Sequence, residues 1–385
     1  MRILIIRTFP DILDWRSYNV QEIGLARALV CRGHKCDIVL YNGRNQDSTE
    51  IYTFEEEGKT YSFFIYKCKG YSFLKNGFMP KVKKLIYRYD VIQVHEYDQL
   101  LSWWLYTREY VPTVIYHGPY YHPYTKGYNL KCMIFDAIFL HGKNYREVRT
   151  LTKSELAADF LKSKGFKNVV SVGVGLNTDN FRTGDTKYDN EKNDSANDER
   201  SLLYVGKIED RRNVYFLVEV FRILRKKCED IHLVLVGGGE PEYVDRFLKS
   251  IAIEIEEKKI IYIPKASQRE LADIYKKSDI FIFTSNYEIF GMVLLEAMYF
   301  RLPVFSSENG GSSTLIQNDK NGYIFKNFQA EEWADRISRV IQDKEKMRQL
   351  GENARMTIEE GYTWDRLAEK FEREYIQAIE DFGRK

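Results

Sequence analysis

Two glutamates, Glu288 and Glu296, bracket the run Glu288-Ile-Phe-Gly-Met-Val-Leu-Leu-Glu296. A carboxylate accepts hydrogen bonds from two neighbouring hydroxyls, so each glutamate suits a sugar diol. The apolar segment ending at Thr284 reads as a buried strand, and Gly291–Met298 reads as a helix. Glu288 then stands at the mouth of the helix and Glu296 within it. If both were helical they would lie roughly 12 Å apart along the axis, which fits the two ends of an extended ligand better than one acid/base pair. The first amides of the helix, from Phe290 to Val293, have no acceptor inside it and carry positive dipole, which favours a phosphate. Taken alone, the same pair is equally a helix cap and a surface residue.

The elements that must position these groups follow a β-α-β rhythm. Ile3–Ile6 is a short continuous apolar run, as expected of a strand buried on both faces of a parallel sheet. A helix follows, with Val20, Ile23, Leu25, Leu29 and Val30 on its apolar face. Gly33-His34 ends it, and Cys36–Tyr41 starts a second strand. Further strands fall near 90–95, 113–117 and 169–174. Residues 185–200 are nearly all polar and read as a solvated linker. Beyond them come strands at 202–205, 232–236, 260–263, 280–284 and 303–305. The expectation is α/β, with two Rossmann-like doubly wound domains, 1–184 and 201–361, facing across a cleft. In the terminal stretch 362–385, Trp364, Leu367, Phe371 and Tyr375 recur at helical spacing as a packing stripe.

Composition narrows the function. Of 385 residues, 44% are hydrophobic and 30% charged, and 58 Lys and Arg nearly cancel 56 Asp and Glu. Without a basic excess the chain does not read as a nucleic-acid binder. Five cysteines, Cys31, Cys36, Cys68, Cys132 and Cys228, form no C-x-x-C and fit neither a disulfide framework nor a zinc site, which points to a reducing cytosol. The apolar start is too short for a signal peptide, and no run of 18 apolar residues occurs. Segment 78–89 mixes Lys81, Lys83, Lys84 and Arg88 with Leu85, Ile86 and Tyr87. It is expected to be either a basic amphipathic helix lying on an anionic bilayer or a solvated helix of the first domain.

The E-x-F-G-x-x-x-x-E segment, with Pro303-Val304 and Gly310-Gly311 after it, resembles the GT-B-fold glycosyltransferases of family 4. The resemblance runs through nearly the whole chain and is strongest from 202 to 316. It implies that Glu288 meets donor-sugar hydroxyls and Glu296 the ribose, and that Ile289, Phe290, Gly291, Met292 and Val293 serve the sugar and diphosphate. Tyr204-Val-Gly-Lys-Ile-Glu-Asp-Arg-Arg-Asn213 resembles the family's G-R-L-x-x-x-K-G. Lys207 then takes the Arg place and Arg212 the Lys place, keeping charge but not geometry on the diphosphate. Gly206 and the Gly237-Gly-Gly239 turn lie beside them. His117, in Val114-Ile-Tyr-His-Gly-Pro119, resembles a family histidine that faces the donor sugar, and His95 resembles a strand-end residue on the acceptor side. The terminal helix is expected to cross back onto the first domain. Arg16-Ser17 stands where the family commonly has Gly-Gly, so either the side chains there crowd the backbone or Arg16 replaces amide contacts to the donor with charge.

What this implies is a retaining, metal-independent glycosyltransferase working from a UDP- or GDP-sugar. No D-x-D occurs, so Lys207 and Arg212 would neutralise the leaving diphosphate in place of a divalent ion. No cofactor is expected. The acceptor would be a glycan or lipid-linked glycan in surface polysaccharide assembly, at the cytoplasmic face of the membrane. Two other classes fit the same residues. One is a GT-B epimerase or sugar phosphorylase; the other is a non-catalytic sugar-nucleotide-binding subunit. An NAD dehydrogenase does not fit, because residues 7–12 carry none of the glycines a dinucleotide loop requires.

Overall fold

A computed structural model of the chain describes residues 1–384 apart from 19, 109, 142–143 and 182–199. The expected linker 185–200 therefore lies outside the described residues, save Arg200, which opens a strand. The chain divides into two units, one of residues 1–175 and 363–385, the other of 176–362. The first break thus falls earlier than the expected 184.

The strands of unit 1 are β1 (Arg2–Ile6), β2 (Lys35–Tyr41), β3 (Ser48–Glu56), β4 (Lys59–Cys68), β5 (Tyr71–Phe73), β6 (Asn76–Phe78), β7 (Val91–His95), β8 (Thr113–His117), β9 (Arg149–Thr152) and β10 (Val169–Ser171). Its helices are α1 (Gln21–Cys31), α2 (Val82–Leu85), α3 (Leu100–Arg108), α4 (Lys126–Phe139) and α5 (Glu155–Ser163). Eight strands form one sheet in the order β10-β9-β8-β7-β1-β2-β4-β3, parallel except for β3, while β5 and β6 form a separate hairpin. Ile3, Leu4, Ile5 and Ile6 are all fully buried, as a strand covered on both faces requires.

The β3–β4 hairpin is an addition to the expected pattern. It turns on Glu57-Gly58, both at positive φ (49° and 73°), which suits a two-residue turn matched to strand twist. The expected helix over 78–89 is corrected. Phe78 ends β6, α2 is one short turn, and Ile86–Arg88 is a 3₁₀ turn. Val82, Leu85 and Ile86 are buried in unit 1, so the apolar side that a bilayer was expected to meet is already used by the core.

Unit 2 holds β11 (Arg200–Val205), β12 (Ile231–Val236), β13 (Ile260–Ile263), β14 (Ile280–Phe283), β15 (Val304–Ser307) and β16 (Gly322–Phe325). They form one parallel sheet in the order β13-β12-β11-β14-β15-β16. Its helices are α6 (Val214–Lys227), α7 (Pro241–Ser250), α8 (Ala252–Glu256), α9 (Gln268–Lys277), α10 (Met292–Tyr299), α11 (Gly310–Leu315), α12 (Ala330–Gln342) and α13 (Lys344–Gly361). α6 and α12 close one face, where Trp333 is fully buried and stacks on Phe325 at 4.2 Å. The sheet grows outward in both directions from β11 and β14, so the order reverses between them.

α14 (Trp364–Gly383) returns to unit 1. Trp364, Leu367, Phe371 and Tyr375 are buried along one face, and Tyr375 Oη donates to Gln93 Oε1 (2.6 Å) at the floor of β7. The Trp364 indole fills the space left by Gly24 and Gly175, where any added Cβ would collide with the ring. Arg149 pairs with Glu374 and Asp381, each at 2.9 Å, fixing the outer end of the helix.

Candidate active site

In an open parallel sheet a ligand binds outside the carboxyl ends of the strands where the order reverses. In unit 2 that point lies between β11 and β14, and the loops leaving these two strands carry the charged groups. The β11 loop supplies Lys207, Glu209, Arg211 and Arg212; the β14 loop supplies Ser285 and Glu288. Backbone bonds tie the loops together: Asn286 N–H donates to Arg211 C=O (2.9 Å), and Thr284 Oγ1 donates to Arg212 C=O (2.9 Å).

Glu288 accepts both arginines. Arg212 Nη1 lies 2.7 Å from Glu288 Oε1 and donates to Ser285 Oγ (3.3 Å), and Arg211 pairs with the same carboxylate oxygen. Arg211 also bonds Tyr287 C=O (2.7 Å) and Glu209 (2.8 Å). Burial works against its charge, but Glu288 and Glu209 outweigh that and hold the guanidinium above its ordinary pKa. The Glu288 and Arg212 side chains are only 12% and 14% exposed, so the medium around this pair is drier than a surface loop. Lys207 is exposed and has no ion pair among the described residues; its carbonyl accepts from Tyr204 Oη (2.8 Å). The Arg212 turn leads into Asn213 at φ 52°, a left-handed residue where the family pattern has glycine, and asparagine tolerates it.

Glycines hold the loop carrying Glu288. Gly310 N–H donates to Glu288 C=O (3.0 Å), and a Cβ on Gly310 or Gly311 would collide with the carbonyls of Ile289 and Phe290. The Gly310-Gly311 pair noted in the sequence therefore lets the start of α11 pack directly on the loop backbone. Gly237, at φ 133°, plays a similar part at the end of β12, where an added methyl would run into Gly206 C=O. α10 begins at Gly291 with no side-chain cap, so Met292 and Val293 present first-turn amides. Phe290 is buried, while Ile289, Gly291, Met292 and Val293 are half-buried. Glu296 is also buried, at 3% exposure, with Oε2 accepting from Tyr275 Oη at 2.9 Å.

The residues expected in the first domain take a different form. His117 ends β8 with no exposed surface. Its ring stacks on Phe160 (5.7 Å), meets Tyr97 edge-on (5.2 Å), and its Nδ1 faces Glu96 at the end of β7. The ring expected to face a donor is thus enclosed by its neighbours in this structure. Burial alone would raise the Glu96 carboxyl, but His117, Lys153 and the Gly118 N–H (3.1 Å) hold it down at about 2. His95 is buried too, its Nδ1 3.4 Å from Glu22, and burial lowers it to about 4. Glu96, Asp98 and His117 are of metal-ligand type and lie close together. Lysines already answer the two carboxylates, Lys131 at 2.8 Å from Asp98 and Lys153 at 3.9 Å from Glu96. Arg16 is exposed with its guanidinium 4.1 Å over Trp15, and Ser17 N–H bonds Asp14 C=O (3.0 Å). Both thus belong to a surface turn of unit 1.

Unit 2 therefore carries Arg212, Glu288, Gly206 and the α10 start on the segments that leave β11 and β14, while His117, Arg16 and Ser17 belong to unit 1. Sequence reasoning passed over Arg211 and Glu209. Their signal was present: two adjacent arginines in one turn leave a spare cation, and a third strand-end charge can pair with it.

Residues 185–357 match the family model described as glycosyl transferases group 1. A probable sucrose-phosphate synthase of Thermosipho melanesiensis is 29% identical over 210 residues, 54% of this chain and 46% of that protein. The N-acetyl-alpha-D-glucosaminyl L-malate synthase of Bacillus anthracis is 28% identical over 48% of this chain and 47% of its own. The chain spans about half the length of the curated relatives it matches. Among solved structures, the sucrose-phosphate synthase of Thermosynechococcus elongatus aligns with a TM-score of 0.71 at 18% identity, covering 99% of this chain and 100% of that one. Anabaena HepE in complex with UDP aligns at 0.68 and 14% identity, covering 97% and 99%. The chain has the GT-B fold of these solved structures, and its second half is similar to the group 1 glycosyl transferases.

Proposed function

We propose that the chain is a retaining glycosyltransferase that moves a hexosyl or related group from a UDP- or GDP-sugar to a hydroxyl acceptor without a metal ion. The observation that carries this reading is the Glu288 carboxylate held between Arg211 and Arg212 at the β11–β14 reversal. A diphosphate entering there meets two guanidiniums, Lys207 and the first amides of α10, which together offset the charge it gains on leaving. Glu288, released from the arginines by the phosphates, is then free to accept sugar hydroxyls, and Glu296 beside Tyr275 serves the ribose. The acceptor oxygen bonds to the anomeric carbon as the bond to the phosphate oxygen breaks on the same face, and the departing phosphate takes the acceptor proton. The similarity to a probable sucrose-phosphate synthase and to HepE in complex with UDP-glucose supports a nucleotide-sugar donor. The acceptor in this reading is a glycan or lipid-linked glycan of surface polysaccharide assembly, used at the cytoplasmic face of a membrane.

Incubation with UDP- and GDP-sugars in EDTA, with and without hydroxyl acceptors, tests it. A glycoside of unchanged anomeric configuration is expected. Free sugar plus free nucleotide with no acceptor dependence would point instead to an epimerase, and binding without turnover to a non-catalytic subunit.

A further inference from the structure

Unit 1 exposes aliphatic side chains along a helix whose other face already supplies its core. α4 buries Cys132 and Phe135, yet Leu130 (58%), Met133 (61%), Ile134 (52%) and Ile138 (57%) stand in solvent. Their spacing places them in one stripe, and the other exposed α4 residues are Lys126, Gly127 and Ala137, none of them acidic. Asp136, the helix's acid, is held by Lys164. A second apolar outcrop lies at the β5–β6 turn, where Phe73 is 71% and Leu74 74% exposed.

The two outcrops are joined through α3. With its amide oriented to satisfy both neighbours, Gln99 spans Lys75 C=O and Lys131 Nζ, each at 3.2 Å. Trp103 Nε1 donates to Phe139 C=O (3.1 Å), and Trp104 meets Phe78 at 6.5 Å with Lys83 Nζ 6.0 Å over its ring. Lys75, Lys83, Lys84 and Lys126 have no ion pair among the described residues. Apolar side chains rimmed by unpaired lysines and half-buried tryptophans match an interface with acyl chains below and anionic headgroups above. A second copy of this chain would bring the same lysines to the same face, with no acid to receive them.

We propose that the exposed face of α4 and the tip of β5–β6 dock on an anionic lipid bilayer. This rests on the lipid-linked acceptor in the reading above, and it moves the membrane surface from segment 78–89 to α4. Co-sedimentation of the full chain with vesicles of ~30 mol % phosphatidylglycerol in phosphatidylcholine, and with pure phosphatidylcholine, tests it. Binding to the anionic vesicles, weakened by salt, is expected, and Leu130→Glu/Ile134→Glu should lower it about tenfold or more with melting unchanged. Ile51→Glu, at a residue 61% exposed on β3, should leave it unaltered. No binding by the wild type, equal binding by the double variant, or a dimer that the double variant splits would overturn the proposal. UDP affinity, measured on the same samples, keeps the two readings apart: vesicle binding without UDP binding removes the transferase, and the reverse removes only this surface.

Discussion

The β11–β14 reversal of unit 2 and the β7–β8 strand ends of unit 1 offer the same parallel-sheet geometry and use it in opposite ways. In unit 2 one carboxylate holds two arginines at the edge of solvent, with the Arg211 side chain 35% exposed. In unit 1 a histidine and a glutamate face each other with no opening to solvent. The first arrangement can exchange its carboxylate for a phosphate, since its ions lie within reach of solvent. The second exchanges nothing without unsealing, and its charge is spent on holding two strand ends together. The carboxyl ends of parallel strands thus mark where a site can be, and the exposure of its ions decides whether it is one.

The largest expected effect sharpens that contrast. Glu288→Ala or Arg212→Ala should cut turnover by about 10²–10³-fold with the fold retained, because each removes a fixed charge from where the leaving group develops its own. Near-normal rates in both would move the chemistry away from unit 2. Next comes the acid response of unit 1. The folded-state pKa values of His95 and Glu96 both lie below their ordinary values, so each contributes stability above its unfolded value and loses it as pH falls. His95 acts between 6.5 and about 4, and Glu96 between 4.5 and about 2. Each is worth about 3 kcal/mol by linkage. Hydrogen exchange of β7 and β8 amides, normalised for intrinsic rates, should show protection falling from pH 7 to 4, and a flat profile would contradict the sealed arrangement. The smallest effect concerns the loop support. Gly311→Ala should cost unit 2 about 1–3 kcal/mol and weaken UDP binding, since the methyl must displace Phe290 C=O. Gly238→Ala serves as control, its added Cβ meeting nothing nearer than Pro264 C=O at 3.4 Å.

Much of unit 2 was legible in the chain because its strands are short continuous apolar runs and its loops hold the charges. The Glu288 segment stood out by residue type and spacing, and Gly310-Gly311 and the Lys207–Arg212 turn by their resemblance to a known family. Unit 1 was harder. Its β3–β4 hairpin alternates Tyr52 and Phe54 with polar residues on an edge, a weaker signal than a buried strand. His117 carried a motif, but burial by Phe160 and Tyr97 is a tertiary fact that no local pattern encodes. Segment 78–89 looked like a surface helix by composition, and only packing shows that Leu85 and Ile86 turn inward.

The central claim is that the cations after β11 grip a nucleoside diphosphate. Calorimetric titration of UDP into the full chain in EDTA, beside Arg212→Ala and His117→Ala, tests it most directly. The account predicts binding by the wild type that falls about tenfold or more in Arg212→Ala and is nearly unaltered in His117→Ala. Equal affinity in wild type and Arg212→Ala, with loss confined to His117→Ala, would contradict it.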